Sequence, residues 1–133
     1  MLINLSIQDY AVVDQLEVDL AAGMTCITGE TGAGKSIMLD ALGLCIGDRA
    51  ASGAIRPGAP RTDIAACFDV SQNTRAQVWL SERDLEAAGD CILRRTITAE
   101  GRSRAYINGS PATLSDCVDL GQLLVDIHSQ HAH

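Results

Sequence analysis

The octapeptide Gly29-Glu30-Thr31-Gly32-Ala33-Gly34-Lys35-Ser36 constrains this chain more than any other stretch. It follows a short apolar run, Met24-Thr25-Cys26-Ile27-Thr28, and leads into Ile37, Met38, Ala41, Leu42 and Cys45 at helical spacing. Its glycines let the backbone curl until successive N–H groups face inward, which makes a nest for an anion. A helix over Lys35 to Cys45, ended by Gly47, adds the positive end of its dipole. The pattern G-x-x-x-x-G-K-[ST] between a buried strand and a helix is a phosphate-binding loop. Lys35 is placed to reach the β- and γ-phosphates of a nucleoside triphosphate, and the Ser36 hydroxyl to ligate Mg²⁺. Gly29, Glu30, Thr31, Gly32, Ala33, Gly34, Lys35 and Ser36 are the expected nucleotide-binding residues.

Around this loop the patterning alternates strands and helices. Leu2 to Ile7 and Gln15 to Leu20 alternate apolar and polar residues and read as half-buried strands joined by a turn over Asp9 to Asp14. Ala21-Ala22-Gly23 reads as a turn. Gly47 to Arg61 is rich in Gly, Ala and Pro, lacks periodicity and reads as a long surface loop. Asp63 to Val70 reads as a strand and Thr74 to Ala88 as an amphipathic helix around Val78, Trp79 and Leu85. Cys91 to Thr98 and Arg102 to Ile107 form a hairpin over Ala99-Glu100-Gly101, and Asn108-Gly109 is a second tight turn. Thr113 to Leu120 reads as a helix capped by Thr113 or Ser115. Leu123 to Ile127 reads as a short apolar strand, with His128 to His133 beyond it.

Length and composition limit the remaining choices. The 133 residues fit one small domain or a piece of a larger one, and stopping just past a strand suggests a piece. No run of about 18 apolar residues is present, so no membrane-spanning helix is expected. Met1-Leu2-Ile3-Asn4 lacks the features of a secretory signal. Cys26, Cys45, Cys67, Cys91 and Cys117 sit in apolar stretches without C-x-x-C spacing. They read as small buried hydrophobes in a reducing compartment. A net charge of −7 argues against a chain that coats itself in nucleic acid.

Several polar residues remain candidates. Leu123-Leu124-Val125-Asp126 resembles a strand ending in a magnesium-binding aspartate, but Ile127 stands where a second carboxylate often sits. Gln130, just past the apolar run, is placed to reach the magnesium shell or an attacking water, so Ser36 and Gln130 are the Mg²⁺ candidates; a plain loop residue is the alternative. His128, His131 and His133 lack the spacing of a zinc site. Arg94, Arg95, Arg102 and Arg104 concentrate positive charge on one hairpin, either as DNA-phosphate contacts or as a solvated face.

Taken together, four segments resemble one family. They are Ile27 to Ser36, Leu39-Asp40-Ala41-Leu42-Gly43-Leu44, Gly101-Arg102-Ser103-Arg104-Ala105-Tyr106-Ile107-Asn108-Gly109, and Val125-Asp126-Ile127-His128-Ser129-Gln130-His131. In this order they resemble the N-terminal part of the RecN family, bacterial DNA double-strand-break repair ATPases related to the SMC proteins. The resemblance covers essentially the whole chain. It implies an α/β fold, the first lobe of a P-loop ABC-type ATPase head with an antiparallel β-subdomain and hairpin, spanning residues 1–133 of a longer polypeptide. Gln130 would then be the Q-loop glutamine. Walker B, signature and switch residues would lie beyond a coiled coil, in a C-terminal lobe, which removes the case for Asp126 as the Walker B residue. The resemblance further implies ATP with Mg²⁺, a head-to-head homodimer whose closure is coupled to DNA holding, and a cytoplasmic, nucleoid-associated location. Tyr10, Ser129 and Ala132 depart from residues the family often has there.

Two other classes stay open on the residues alone. A small-molecule or nucleotide kinase fits the loop, with Gly47 to Arg61 as a lid. A nucleotide-gated interaction module without turnover differs from an ATPase only in residues this chain lacks. No guanine-reading N-K-x-D motif is present.

Overall fold

A computed structural model describes residues 1–20, 31–50, 53–86 and 89–125, with side chains from residue 36 onward in the second stretch. The expected turn at Ala21 to Gly23 and strand at Met24 to Thr28 lie outside the described residues. What is described is one antiparallel sheet with helices against it. The strands are β1 (Leu2–Tyr10), β2 (Val13–Asp19), β3 (Arg61–Asp69), β4 (Asp90–Thr98), β5 (Ser103–Ile107) and β6 (Ser110–Ala112). They pair in the order β2-β1-β3-β4-β5-β6. The helices are α1 (Thr31–Cys45), α2 (Thr74–Glu82) and α3 (Leu114–Leu124).

Period-two alternation sorts the sheet into two faces. In β3, Thr62, Ile64, Ala66 and Phe68 are buried, and in β4 so are Cys91, Leu93, Arg95 and Ile97. Between them Ala65, Cys67, Ile92 and Arg94 are partly or fully open. The pairing puts Ile64 opposite Arg95 and Ala66 opposite Leu93, so the buried residues share one face. Helix α1 covers that face with Ala41, Leu44 and Cys45, one stripe at helical spacing. Helix α3 adds Cys117, Leu120, Gly121 and Leu124.

The β1–β2 connection is tighter than the sequence suggests, with only Ala11 and Val12 between the strands. Asp9 and Ala11 sit at φ 56° and 52°, in the left-handed region that side chains disfavour. The 47–61 loop holds them there. Ala11 N–H donates to the Ala54 carbonyl at 2.8 Å and Arg56 N–H to the Asp9 carbonyl at 2.8 Å. Ile55 bridges Tyr10, and Ala54 is buried. The stretch is a surface loop as expected, but Ala54, Ile55 and Arg56 strap it across the hairpin end.

Three helix boundaries differ from the sequence expectation. Helix α2 stops at Glu82, not Ala88, because Asp84 turns left-handed at φ 55° and Leu85 N–H folds back to the Leu80 carbonyl at 2.9 Å. Asn108 Nδ2 then takes the Leu85 carbonyl at 2.6 Å. Helix α3 starts at its Thr113 cap, whose hydroxyl accepts from Asp116 N–H at 3.0 Å. It runs on through Leu123 and Leu124, where a strand was expected, because Leu124 completes the buried stripe begun at Cys117. Helix α1 begins at Thr31, four residues before Lys35. Strand β6 was unforeseen; it follows Asn108-Gly109, whose φ of 50° and 86° suit a two-residue hairpin turn. No helix among the described residues is long and apolar enough to cross a membrane.

The C-terminus of α1 closes in a Schellman arrangement. Asp48 N–H donates to the Gly43 carbonyl at 2.9 Å, Gly47 N–H to the Leu44 carbonyl at 3.3 Å, and Gly47 takes φ 104°. A Cβ at Gly47 would lie 2.4 Å from Val118 Cγ2 and 3.0 Å from the Leu114 carbonyl oxygen. At Gly101, φ 92°, an added Cβ meets nothing within 4 Å. Gly101→Ala should therefore cost only the left-handed penalty, about 1–2 kcal/mol. Gly47→Ala should cost that plus overpacking of about 1–3 kcal/mol. Urea unfolding of both variants measures the gap; equal losses would mean that α1 and α3 are not in close contact there.

Candidate nucleotide-binding site

The phosphate-loop sequence meets the structure at the start of α1. Thr31, Gly32 and Ala33 open the helix, so their N–H groups have no acceptor within it. They point out of the N-terminal end, where the helix dipole is positive, and the first turn holds no acidic residue to compete with a bound anion. Ser36 follows on an exposed position. A triphosphate with Mg²⁺ fits this donor set: free amides, small residues that let an anion approach, and a hydroxyl one turn in. Gly29 and Glu30 lie outside the described residues, as do Asp126, His128, Gln130, His131 and His133. Among the described residues no group of three or more His, Cys, Asp or Glu could hold a metal ion.

The other end of α1 is fixed by a residue the sequence placed elsewhere. Arg95 is only 2% exposed. Its Nη1 donates to the Leu44 carbonyl at 2.8 Å and the Asp48 carbonyl at 2.7 Å, and its Nε to Ser103 Oγ at 2.7 Å. Helix α1 has no basic residue in its own last turn. Arg95, reaching across from β4, supplies the positive charge that the C-terminal end of the dipole favours. Burial pulls its pKa down from the ordinary value, opposed by Cys117, Cys45 and Asp48.

The four arginines of the hairpin therefore do not line one face. Arg95 points inward, away from the open face that Arg94 and Arg104 share. Arg94, its neighbour, points the opposite way. There it makes a two-pronged pair with Asp63, Nε to Oδ1 at 2.9 Å and Nη2 to Oδ2 at 2.5 Å, and lies 5.8 Å from the Tyr106 ring centre. The bond to Asp63 is the main reason its pKa rises. Arg104 stands opposite Thr96 on the same open face, and Arg102 sits exposed at the hairpin turn. The expectation of a basic patch thus narrows to Arg102 and Arg104, with Arg94 largely neutralised. Sequence reasoning missed the inward direction of Arg95; the alternation from Cys91 through Leu93 to Ile97 was the signal that could have found it.

Of the expected buried cysteines, Cys26 lies outside the described residues. Cys45, Cys91 and Cys117 are buried and Cys67 is partly exposed. Burial pushes the thiols of Cys45 and Cys91 up to about 12.

Comparison with known proteins adds a family. The model described as AAA domain matches residues 4–114. The DNA repair protein RecN of Vibrio cholerae is 53% identical over 133 residues, which is 100% of this chain and 24% of that protein. RecN of Bacillus subtilis is 36% identical over 132 residues, 98% of this chain and 23% of that protein. The chain thus spans about a quarter of the length of these curated relatives. Among solved structures, an SMC ATPase described for its ATP-driven dimerization and DNA-stimulated activation superposes with a TM-score of 0.72 at 22% identity. The match covers 92% of this chain and 78% of that one. RecF with ATP gives a TM-score of 0.57 at 13% identity, covering 93% and 30%. At these identities the structural likeness concerns the fold.

Two outcomes test this account of the site. Arg95→Ala removes three hydrogen bonds of a buried guanidinium and leaves a space in the core, and should cost about 2–4 kcal/mol in urea unfolding. Arg94→Ala, a largely exposed pair, should cost under about 1 kcal/mol. Comparable losses would contradict the inward placement of Arg95. The raised thiols set the second outcome. Folded Cys45 and Cys91 stay protonated where an unfolded thiol ionises, so their stabilisation is complete below pH 9.0 and lost as pH climbs towards about 12. Melting temperature should fall over that window, less steeply in Cys45→Ala. An unchanged slope in that variant would contradict the burial of its thiol.

Proposed function

Because the chain belongs to the AAA-domain family and matches RecN along its whole length, we propose that it is the N-terminal, ATP-binding lobe of a RecN-like DNA repair ATPase. The observation that carries this is the phosphate-loop sequence opening directly into the free amides of α1. In this reading the amides from Gly29 to Gly34 cradle the phosphates and Lys35 neutralises the β- and γ-oxygens. Ser36 ligates Mg²⁺, with Gln130 reaching the same ion or the attacking water. Bound Mg²⁺ would shield the phosphate charge during hydrolysis. Everything else needed for turnover, a carboxylate pair and a signature motif, would come from a C-terminal lobe and from a second head.

The wider role follows from the same reading. Two heads facing each other would share ATP, so that binding closes them and hydrolysis lets them part. Arg102 and Arg104 would offer the open end of the hairpin to DNA phosphates. The protein would work in the cytoplasm, at the nucleoid.

A fluorescent ATP analogue titrated with Mg²⁺ against this chain and against Lys35→Ala tests the reading, with phosphate release followed in the same samples. Saturable binding should weaken tenfold or more in the variant, about 1.4 kcal/mol or above, with negligible release from either. Binding indifferent to Lys35 would overturn the assignment of the loop. Brisk phosphate release from this chain alone would overturn the half-site reading.

A further inference from the structure

A second concentration of unneutralised positive charge lies at the far end of α1 from the phosphate loop. A cavity of about 460 Å³ opens between Arg49, Ala50 and Gly53 to Ile55 on one side and the β4–β5 hairpin and the start of α3 on the other. Arg49, Arg95, Thr98, Gly101, Ser103 and Leu114 line it, and its lining contains no carboxylate among the described residues. We propose that this cavity is a binding site for a phosphate group, held by Arg49 and Arg95. The inference does not rest on the nucleotide-binding reading.

Three features point to an anion. The first is the state of Arg95. Its Nε and Nη1 are committed to Ser103, Leu44 and Asp48, but Nη2 has no hydrogen-bond partner among the described residues. No side-chain nitrogen or oxygen among the described residues is both sealed from solvent and unpartnered, so Nη2 is reached from the cavity that Arg95 lines and stays open to a ligand there. The second is Arg49, which is exposed at the cavity mouth and has no acidic partner among the described residues. Arg56, Arg83 and Arg94 each lie within 4.0 Å of a carboxylate. Arg49 and Arg95 thus share one cavity with no carboxylate among its described lining residues.

The third feature is the hydroxyl pair. Ser103 Oγ accepts from Arg95 Nε, and Thr98 Oγ1 accepts from Arg102 N–H at 3.1 Å. Each hydroxyl keeps its own proton to donate. A phosphate accepts up to several such bonds at once and pairs with an arginine fork better than any other common anion. Asp48 is the nearest carboxylate felt by Arg95, yet only its carbonyl meets the guanidinium, and its side chain lies outside the cavity lining. The cavity is roomier than a single phosphate, so the group can arrive on an ester: a nucleic-acid backbone or a small phosphorylated molecule.

Titration of the ¹⁵N-labelled chain with inorganic phosphate, and separately with single-stranded oligothymidylate, tests the proposal. Lys35→Ala serves as the background that weakens the other phosphate site. The amides of Gly101, Ser103 and Leu114 should shift saturably, and Arg49→Gln should weaken that response fivefold or more while melting as its parent does. Arg49→Lys should retain part of the affinity. A response to oligothymidylate with the same Arg49 dependence assigns a backbone phosphate, and a response to inorganic phosphate alone assigns a small phosphorylated ligand. Shifts that never saturate, that sodium chloride reproduces at equal ionic strength, or that ignore Arg49→Gln would overturn the proposal. The amides of residues 32–36 report on the phosphate loop independently, so failure at one site is not read as failure at the other.

Discussion

The buried guanidinium of Arg95 is the contact on which the rest of this arrangement depends. Removing an arginine from water costs several kcal/mol unless its donors find partners. Here the partners are the closing carbonyl of α1, a carbonyl of the following turn and a hydroxyl on β5. One side chain on β4 thereby ties together a helix, the turn that ends it and the neighbouring strand. Cys45 beside it packs into the same joint, its Sγ donating to the Ile64 carbonyl at 3.7 Å. Gly47 and Gly121 let α3 close over that joint, since a Cβ on Gly121 would lie 2.7 Å from Ile46 Cβ. The helix that carries the phosphate-loop sequence is thus fixed at the end opposite to that sequence.

The same sheet gives neighbouring arginines opposite fates. Arg94 and Arg95 differ by one position, and a period of two sends one to the open face and one to the core. On the open face Arg94 meets Asp63 diagonally across β3, and the pair rests beside Tyr106. Arg104 shares that face without an acid partner among the described residues. On this face, positive charge available to a partner is therefore confined to the hairpin's outer end. A count of arginines in the sequence overstates it.

What could be read from the sequence follows from how local each determinant is. The Gly47 helix stop and the Asn108-Gly109 turn are set within a few residues, and both were legible. So was the alternation of β3 and β4. The strap was not, because its structure comes from hydrogen bonds to Asp9 and Ala11, some forty-five residues away in the chain. Helix α3 was cut short because the run Leu123-Leu124-Val125 suits a buried strand as well as a helix end. Only packing of Leu124 beside Leu120 and Cys117 decides between them. At the candidate site the helix after the loop was legible but not its start at Thr31, and the burial of Arg95 depends on the whole sheet being in place.

The placement of the anchors also bears on how the two phosphate-seeking ends of α1 can influence each other. A helix of 15 residues spans about 22 Å, and screening at physiological salt acts over about 8 Å. Charge at one end is therefore nearly invisible through solvent to charge at the other. Mechanical coupling through the helix remains, and its strength depends on where α1 is gripped. Among the side chains of α1 that the structure describes, from Ser36 onward, Ala41, Leu44 and Cys45 are buried while Ile37 and Met38 are only partly covered. Together with the Arg95 contacts, these hold the second half of α1 to the sheet. Changes at that joint are therefore carried along the helix axis towards its N-terminal end.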